Sequence, residues 1–156
     1  MKQVFFILIP LVLVSCQNNK ERYAAYNDAI VDQVEVADST LQRIFSFEDF
    51  ETFPEQKPVY TATFSGITQN LRQIKWEEED SLRQAAYALV DAYQSIVDQE
   101  YSSIYTIMHD TVYTAEDSSQ VDALSKDMYA KWQISSEHFA TEQGKFSKRY
   151  GIELNK

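Results

Sequence analysis

Histidine, cysteine and clustered carboxylates are the side chains with which a small protein most readily does chemistry. This chain of 156 residues holds two histidines, His109 and His138, and one cysteine, Cys16. A di-iron or di-manganese centre in a helical protein uses Glu-x-x-His pairs. Thr106 and Ser135 stand three residues before the histidines, so that pattern is absent. Covalent c-type haem needs Cys-x-x-Cys-His and is excluded by the single cysteine. A non-covalent haem would need a pair such as His138 with Met128 or Met108. The plainer reading makes His138, beside Glu137, a surface residue and His109 a cation suited to a helix C-terminus. No Gly-x-Ser-x-Gly or His-Glu-x-x-His occurs, and three glycines cannot build a phosphate cradle. Carboxylates are plentiful. Asp28, Asp32 and Glu35 share part of one helical face, and Glu100 interrupts an apolar stripe. A buried Glu100 would have a raised pKa and could serve as an acid. The plainer expectation pairs it with a Lys or Arg at a helix seam. No catalytic, cofactor-binding or metal-ligating residue is assigned, and the chain is read as a non-enzyme.

Composition narrows the classes. Lys+Arg number 14 and Asp+Glu 24, a net charge of -10, which argues against nucleic acid as a partner. Apolar residues at 44% and aromatics at 13% are too rich for disorder. Three Gly and three Pro are too few for a turn-rich β-sandwich. One Cys makes no internal disulfide.

That cysteine has a particular setting. Lys2 precedes an apolar run from Val4 to Val14, broken only by Pro10. Eleven helical residues span about 16 Å, roughly half a bilayer core, so the run reads as a signal h-region rather than a membrane span. It ends in Leu13-Val14-Ser15-Cys16, which resembles the bacterial lipobox. The resemblance implies cleavage before Cys16 and acylation of its thiol and new amino terminus. Two or more acyl chains would anchor the chain stably, at about 0.8 kcal/mol per buried CH₂. The expected division is therefore a signal peptide over 1–15 and a lipidated Cys16 with a short tether to residue 20. A helical domain over 21–152 and a tail over 153–156 follow. The expected address is the bacterial cell envelope, anchored to a membrane, with the outer membrane favoured. Without residues 1–15 the balance is 13 Lys+Arg against 24 acids, so an anionic lipid surface should repel the domain.

Four segments carry helical periodicity. The first, from about Lys20 to Phe47, has the stripe Tyr23, Tyr26, Ile30, Val34, Ala37, Leu41, Ile44. Phe47 to Pro58, with two prolines, predicts a connection or a ragged helix start. The second helix is expected from Val59 to Ile74 along Tyr60, Phe64, Ile67, Leu71 and Ile74, with Gly66 allowing close helix approach. The third should open on Glu77-Glu78-Glu79-Asp80, acids that complement the helix dipole. It continues through Leu82, Ala86, Leu89, Tyr93, Ile96, Glu100, Ile104 and Ile107, with a second row at Val90, Val97, Tyr101, Tyr105 and Met108. The fourth has a start signal at Asp117 with Gln120. Its stripe is Val121, Leu124, Met128, Trp132, Ser135, Phe139, Phe146 and Tyr150, ended by Gly151 at a left-handed C′ position with Ile152 following. The expected class is all-α, an antiparallel up-down four-helix bundle, with a three-helix arrangement whose second segment is partly irregular as the alternative.

Two stretches, Tyr26-Asn27-Asp28-Ala29-Ile30-Val31-Asp32-Gln33 and Lys145-Phe146-Ser147-Lys148-Arg149-Tyr150-Gly151-Ile152-Glu153-Leu154, add a family likeness. With the lipobox they resemble a family of uncharacterised bacterial surface lipoproteins whose mature part is a four-helix bundle. The resemblance implies fold and address and carries no site residues. Ten Tyr and nine Phe are the chain's unusual feature. Tyr101 with Tyr105, and Tyr129 with Trp132, lie partly off the narrow seam. They either widen the core, the first choice, or form an exposed patch for an envelope protein or glycan. Asn27, beside the first stripe, is expected to fix helix register. The leading functional expectation is a lipid-anchored, non-enzymatic interaction or structural module. The alternative is a small-ligand or metal carrier with a pocket between helices. Oligomeric state is left open.

Overall fold

The structure, a computed structural model, describes residues 12–46, 50–76, 78 and 80–154. The expected signal peptide lies largely outside the described residues, as do 47–49, Glu77, Glu79 and the last two residues of the tail. Among the described residues every regular element is helical. These are α1 (Val12–Ile44), α2 (Phe53–Gln73), α3 (Ser81–Ile96), a π-helical turn (Val97–Tyr101), α4 (Ser102–Met108) and α5 (Ala115–Tyr150). No described helix is long and apolar enough to cross a membrane.

α1 follows its predicted stripe. Tyr26, Ile30, Val34, Ala37, Leu41 and Ile44 are buried, with Tyr23 half-buried. The helix also includes Gln17 to Lys20, the four residues expected as a tether. α2 begins six residues before the expected Val59. Pro54 sits in its first turn, where a missing N–H leaves no helix bond unmade. Pro58 is accommodated inside the helix, and burial of Phe53, Tyr60 and Phe64 holds the segment in place. Gly66 makes no close approach: a Cβ there would meet nothing within 4 Å.

α3 starts at Ser81, after the expected acidic run and not within it. Asp80 is the N-cap and accepts from the Arg83 amide at 3.1 Å. Ile96 and Ile104 are eight residues apart, which a regular helix would rotate about 80° from each other. The π turn between them absorbs that offset, and Ile96, Val97, Glu100, Tyr101 and Ile104 are all buried. Ser102 Oγ donates to the Val97 carbonyl at 2.7 Å, so the widened turn is held by a side chain.

The N-cap of α5, Thr114, lies three residues before the predicted signal at Asp117. Thr114 and Asp117 form a capping box: Asp117 N–H donates to Thr114 Oγ1 at 3.2 Å, and Thr114 N–H to Asp117 Oδ2 at 2.8 Å. Its end is as predicted. Gly151 has φ 63°, and the Ile152 amide reaches back to the Ser147 carbonyl at 3.2 Å, a Schellman stop.

α3 is the central helix. It packs most extensively on α5 and also on α1 and α2, while α1 and α5 touch sparsely. α5 therefore buries only Ser135, Phe139, Glu142 and Phe146. The expectation that Val121, Leu124, Met128 and Trp132 complete its core stripe is corrected: the first three are half-buried and Trp132 is 39% exposed. α5 also contacts the π turn and α4.

Candidate functional site

Where α1 and α5 diverge they leave a groove of about 360 Å³. α1 and the residue after it supply Asp38, Leu41, Gln42 and Phe45; α5 supplies Ser125, Met128, Tyr129 and Trp132. On each helix these positions fall at spacings of three, four and seven, so each wall is one helix face. Phe45 stays in place through its amide, bonded to the Leu41 carbonyl at 3.1 Å, and its ring lies 5.5 Å from Tyr101. Tyr129 and Trp132 lie 5.6 Å apart and are 62% and 39% exposed. The lining is mostly apolar and Asp38 is its one ionisable carboxylate.

Asp38 is half-buried. Tyr93 of α3, itself buried, donates its hydroxyl to Asp38 Oδ1, and Ser136 of α5 lies 3.2 Å from the same hydroxyl. Burial raises the Asp38 carboxyl above its ordinary value against a smaller lowering by the Tyr93 bond. Among the described residues no Lys, Arg or His forms an ion pair with it. The Tyr93 phenol is also raised, by burial first and then by its bond to Asp38.

The N-terminal ends of α1 and α3, with the C-terminal end of α5, hold a second aromatic cluster. Trp76 stacks on Tyr26 with ring centroids 4.1 Å apart, and Tyr23, Phe146 and Tyr150 close around it at 5.6 to 5.8 Å. Tyr26 donates to Asp80, and the Arg83 guanidinium meets Asp80 at 2.5 Å while also bonding the Ile74 carbonyl. Burial, then the Asp80 bond, raises the Tyr26 phenol. Tyr150 donates to Glu78 at 2.5 Å and is pushed up to about 12, by burial first.

The other candidates from the sequence have plain places. Glu100 is buried in the π turn and pairs with Lys131 of α5 at 2.6 Å, as the seam reading expected. Asn27 is buried and accepts from Gln143 at 3.2 Å, tying α1 to α5. Tyr101 enters the core and donates to the Ile44 carbonyl at 2.7 Å. Tyr105 is half-buried against that core, whereas Tyr129 and Trp132 are not core residues at all. His109 follows α4, stacked on Tyr105 at 3.9 Å. His138 lies exposed in a shallow polar recess with Glu142 and Gln84. Asp28, Asp32 and Glu35 are exposed along α1. Among the described residues no three His, Cys, Asp or Glu side chains converge to hold a metal ion.

Sequence reasoning singled out Tyr129 and Trp132 but missed Asp38, Gln42 and Phe45. Asp38 follows Ala37 at the edge of the first stripe, and that edge position was its only signal. Comparisons of the chain with protein-family models, with curated proteins and with solved structures found no match.

Proposed function

We propose that this is a lipid-anchored, non-enzymatic binding module of the bacterial cell envelope, with the groove between α1 and α5 as its binding surface. The observation that carries the reading is the groove itself: three aromatic rings, Phe45, Tyr129 and Trp132, left partly open around one acid. Tyr and Trp suit contact surfaces because a rigid apolar body ends in a polar tip. The groove pairs its carboxylate with a tyrosine whose phenol is held protonated, an arrangement suited to holding a ligand rather than turning one over.

The four rods are proposed to pack up-down-up-down. Cross-links of Gln33 with Asn70 and of Asn27 with Gln143 fit antiparallel neighbours, and the pairs Tyr26 with Asp80 and Asp38 with Tyr93 run the first and third rods in the same direction, as that order requires. The anchor rests on Leu13-Val14-Ser15-Cys16 and on the apolar run before it. The partner on this reading is an envelope component.

Two measurements in intact cells test the reading. Cys16→Ser should move the chain out of the membrane fraction or leave it as an uncleaved precursor; unchanged fractionation would remove the anchor. A photoreactive phenylalanine at position 129 should give mass adducts that the same group at position 134, exposed elsewhere on α5, does not. Equal labelling at both positions would sink the groove as a binding surface.

A further inference from the structure

The groove's occupant can be argued from the two Tyr–Asp pairs of the fold. At one end Tyr26 donates to Asp80, and the guanidinium of Arg83 completes the site at 2.5 Å. At the other Tyr93 donates to Asp38, and among the described residues no Lys, Arg or His pairs with that carboxylate. The two carboxylates buried outright among the described residues follow the first pattern: Glu100 has Lys131 and Glu142 has Lys145, each at 2.6 Å. Asp38 alone of these four lacks its counter-charge and also opens onto a groove. A desolvated carboxylate without a cation costs stability, and an entering cation would recover that loss. The flanking aromatic faces favour the same charge through their quadrupoles.

Size limits what can bring the cation. The α5 wall runs from Ser125 to Trp132, about 10 Å of helix. A docked amphipathic helix uses anchors over two or more turns on a longer face. A volume of about 360 Å³ lies at the small end of small-molecule sites.

We propose that the groove binds a small organic cation with an apolar body. Its ammonium or guanidinium sits on Asp38, and its body lies between Phe45, Tyr129 and Trp132. This rests on the groove being the binding surface and names the class of ligand it takes.

The test uses the full chain in phosphatidylcholine nanodiscs, titrated calorimetrically with phenylbutylamine and with its neutral counterpart phenylbutanol. The amine should bind one per chain and about tenfold tighter than the alcohol. Asp38→Asn should abolish that preference. Gln42→Lys should do the same, because it sets an ammonium one helical turn from Asp38; Gln42 is exposed, so this variant keeps its fold whatever happens to the other. Trp132→Ala should weaken both probes. Equal binding of the two probes, unaffected by Asp38→Asn, would overturn the cation and leave the groove standing. No binding of either probe, with protein adducts still forming at position 129, would replace the small ligand by a protein partner. No binding and no adducts would overturn the groove as well.

Discussion

The two aromatic ends of this helical domain are built from the same parts and finished differently. Each has a tyrosine hydroxyl on an aspartate and a tryptophan among other aromatic rings. At the Trp76 end the rings pack on one another and an arginine neutralises the acid. At the Trp132 end the rings line a gap and the acid keeps its charge uncompensated. The first arrangement favours stability by neutralising its acid, although the Trp76 indole N–H is buried there without a hydrogen-bond partner among the described residues. The second gives up stability at a surface where something can bind, as functional sites commonly do.

If that contrast is right, the same substitutions should have unequal effects at the two ends. Arg83→Met should be the most damaging, costing about 3 kcal/mol or more in chemical denaturation, because it strands Asp80 in a largely buried position. Trp76→Ala should cost about 3 kcal/mol through lost ring packing. Trp132→Ala should cost less, about 1 kcal/mol, since its ring is 39% exposed and adds only a contact to the Tyr93 hydroxyl and to Tyr129. Equal losses from the two tryptophans would erase the distinction. Gly66→Ala, on open space away from both ends, should add roughly 0.5 to 1 kcal/mol and calibrates a pure backbone effect. Gln42→Lys should add about 0.3 kcal/mol by supplying the missing charge.

The smallest effect is also the most specific. Burial raises the Asp38 carboxyl, so the folded chain holds that proton more tightly than the unfolded one. The group's contribution to stability is therefore full below the unfolded aspartate value of about 3.9 and is lost as pH rises through the raised folded value. Asp38→Asn removes this dependence. Its melting temperature should exceed that of the parent at neutral pH, and the difference should shrink on acidification toward the aspartate range. A difference that grew on acidification would mean that Asp38 has a cation after all.

Much of the fold was legible along the chain because one-sided apolar spacing is enough to specify a packed helix. The α1 stripe and the Schellman end at Gly151 needed no tertiary information. Helix starts were harder to place. Proline in a first turn reads as a breaker or as a beginning, and only the burial of Phe53 decides for α2. The Asp117-Gln120 signal was displaced by Thr114, whose hydroxyl completes the box one turn earlier. The π turn was hidden because both apolar rows in that region are plausible until the neighbouring helices choose between them. The groove was the least legible part. A stripe such as Met128 and Trp132 looks identical whether its neighbour is a helix or a gap, and the difference lies in how far α1 extends beside α5.

The π turn also says where this chain tolerates a change of length. Without one of its residues, Ile96 and Ile104 would stand seven positions apart, two turns of ordinary helix and nearly in line. Removing the exposed Gln99 should therefore shorten the rod without rotating either half against its neighbours. The same deletion in the middle of α3 would turn every later side chain by about 100° and scatter the core. The turn thus acts as a slack link, keeping the register of α4 independent of that of α3.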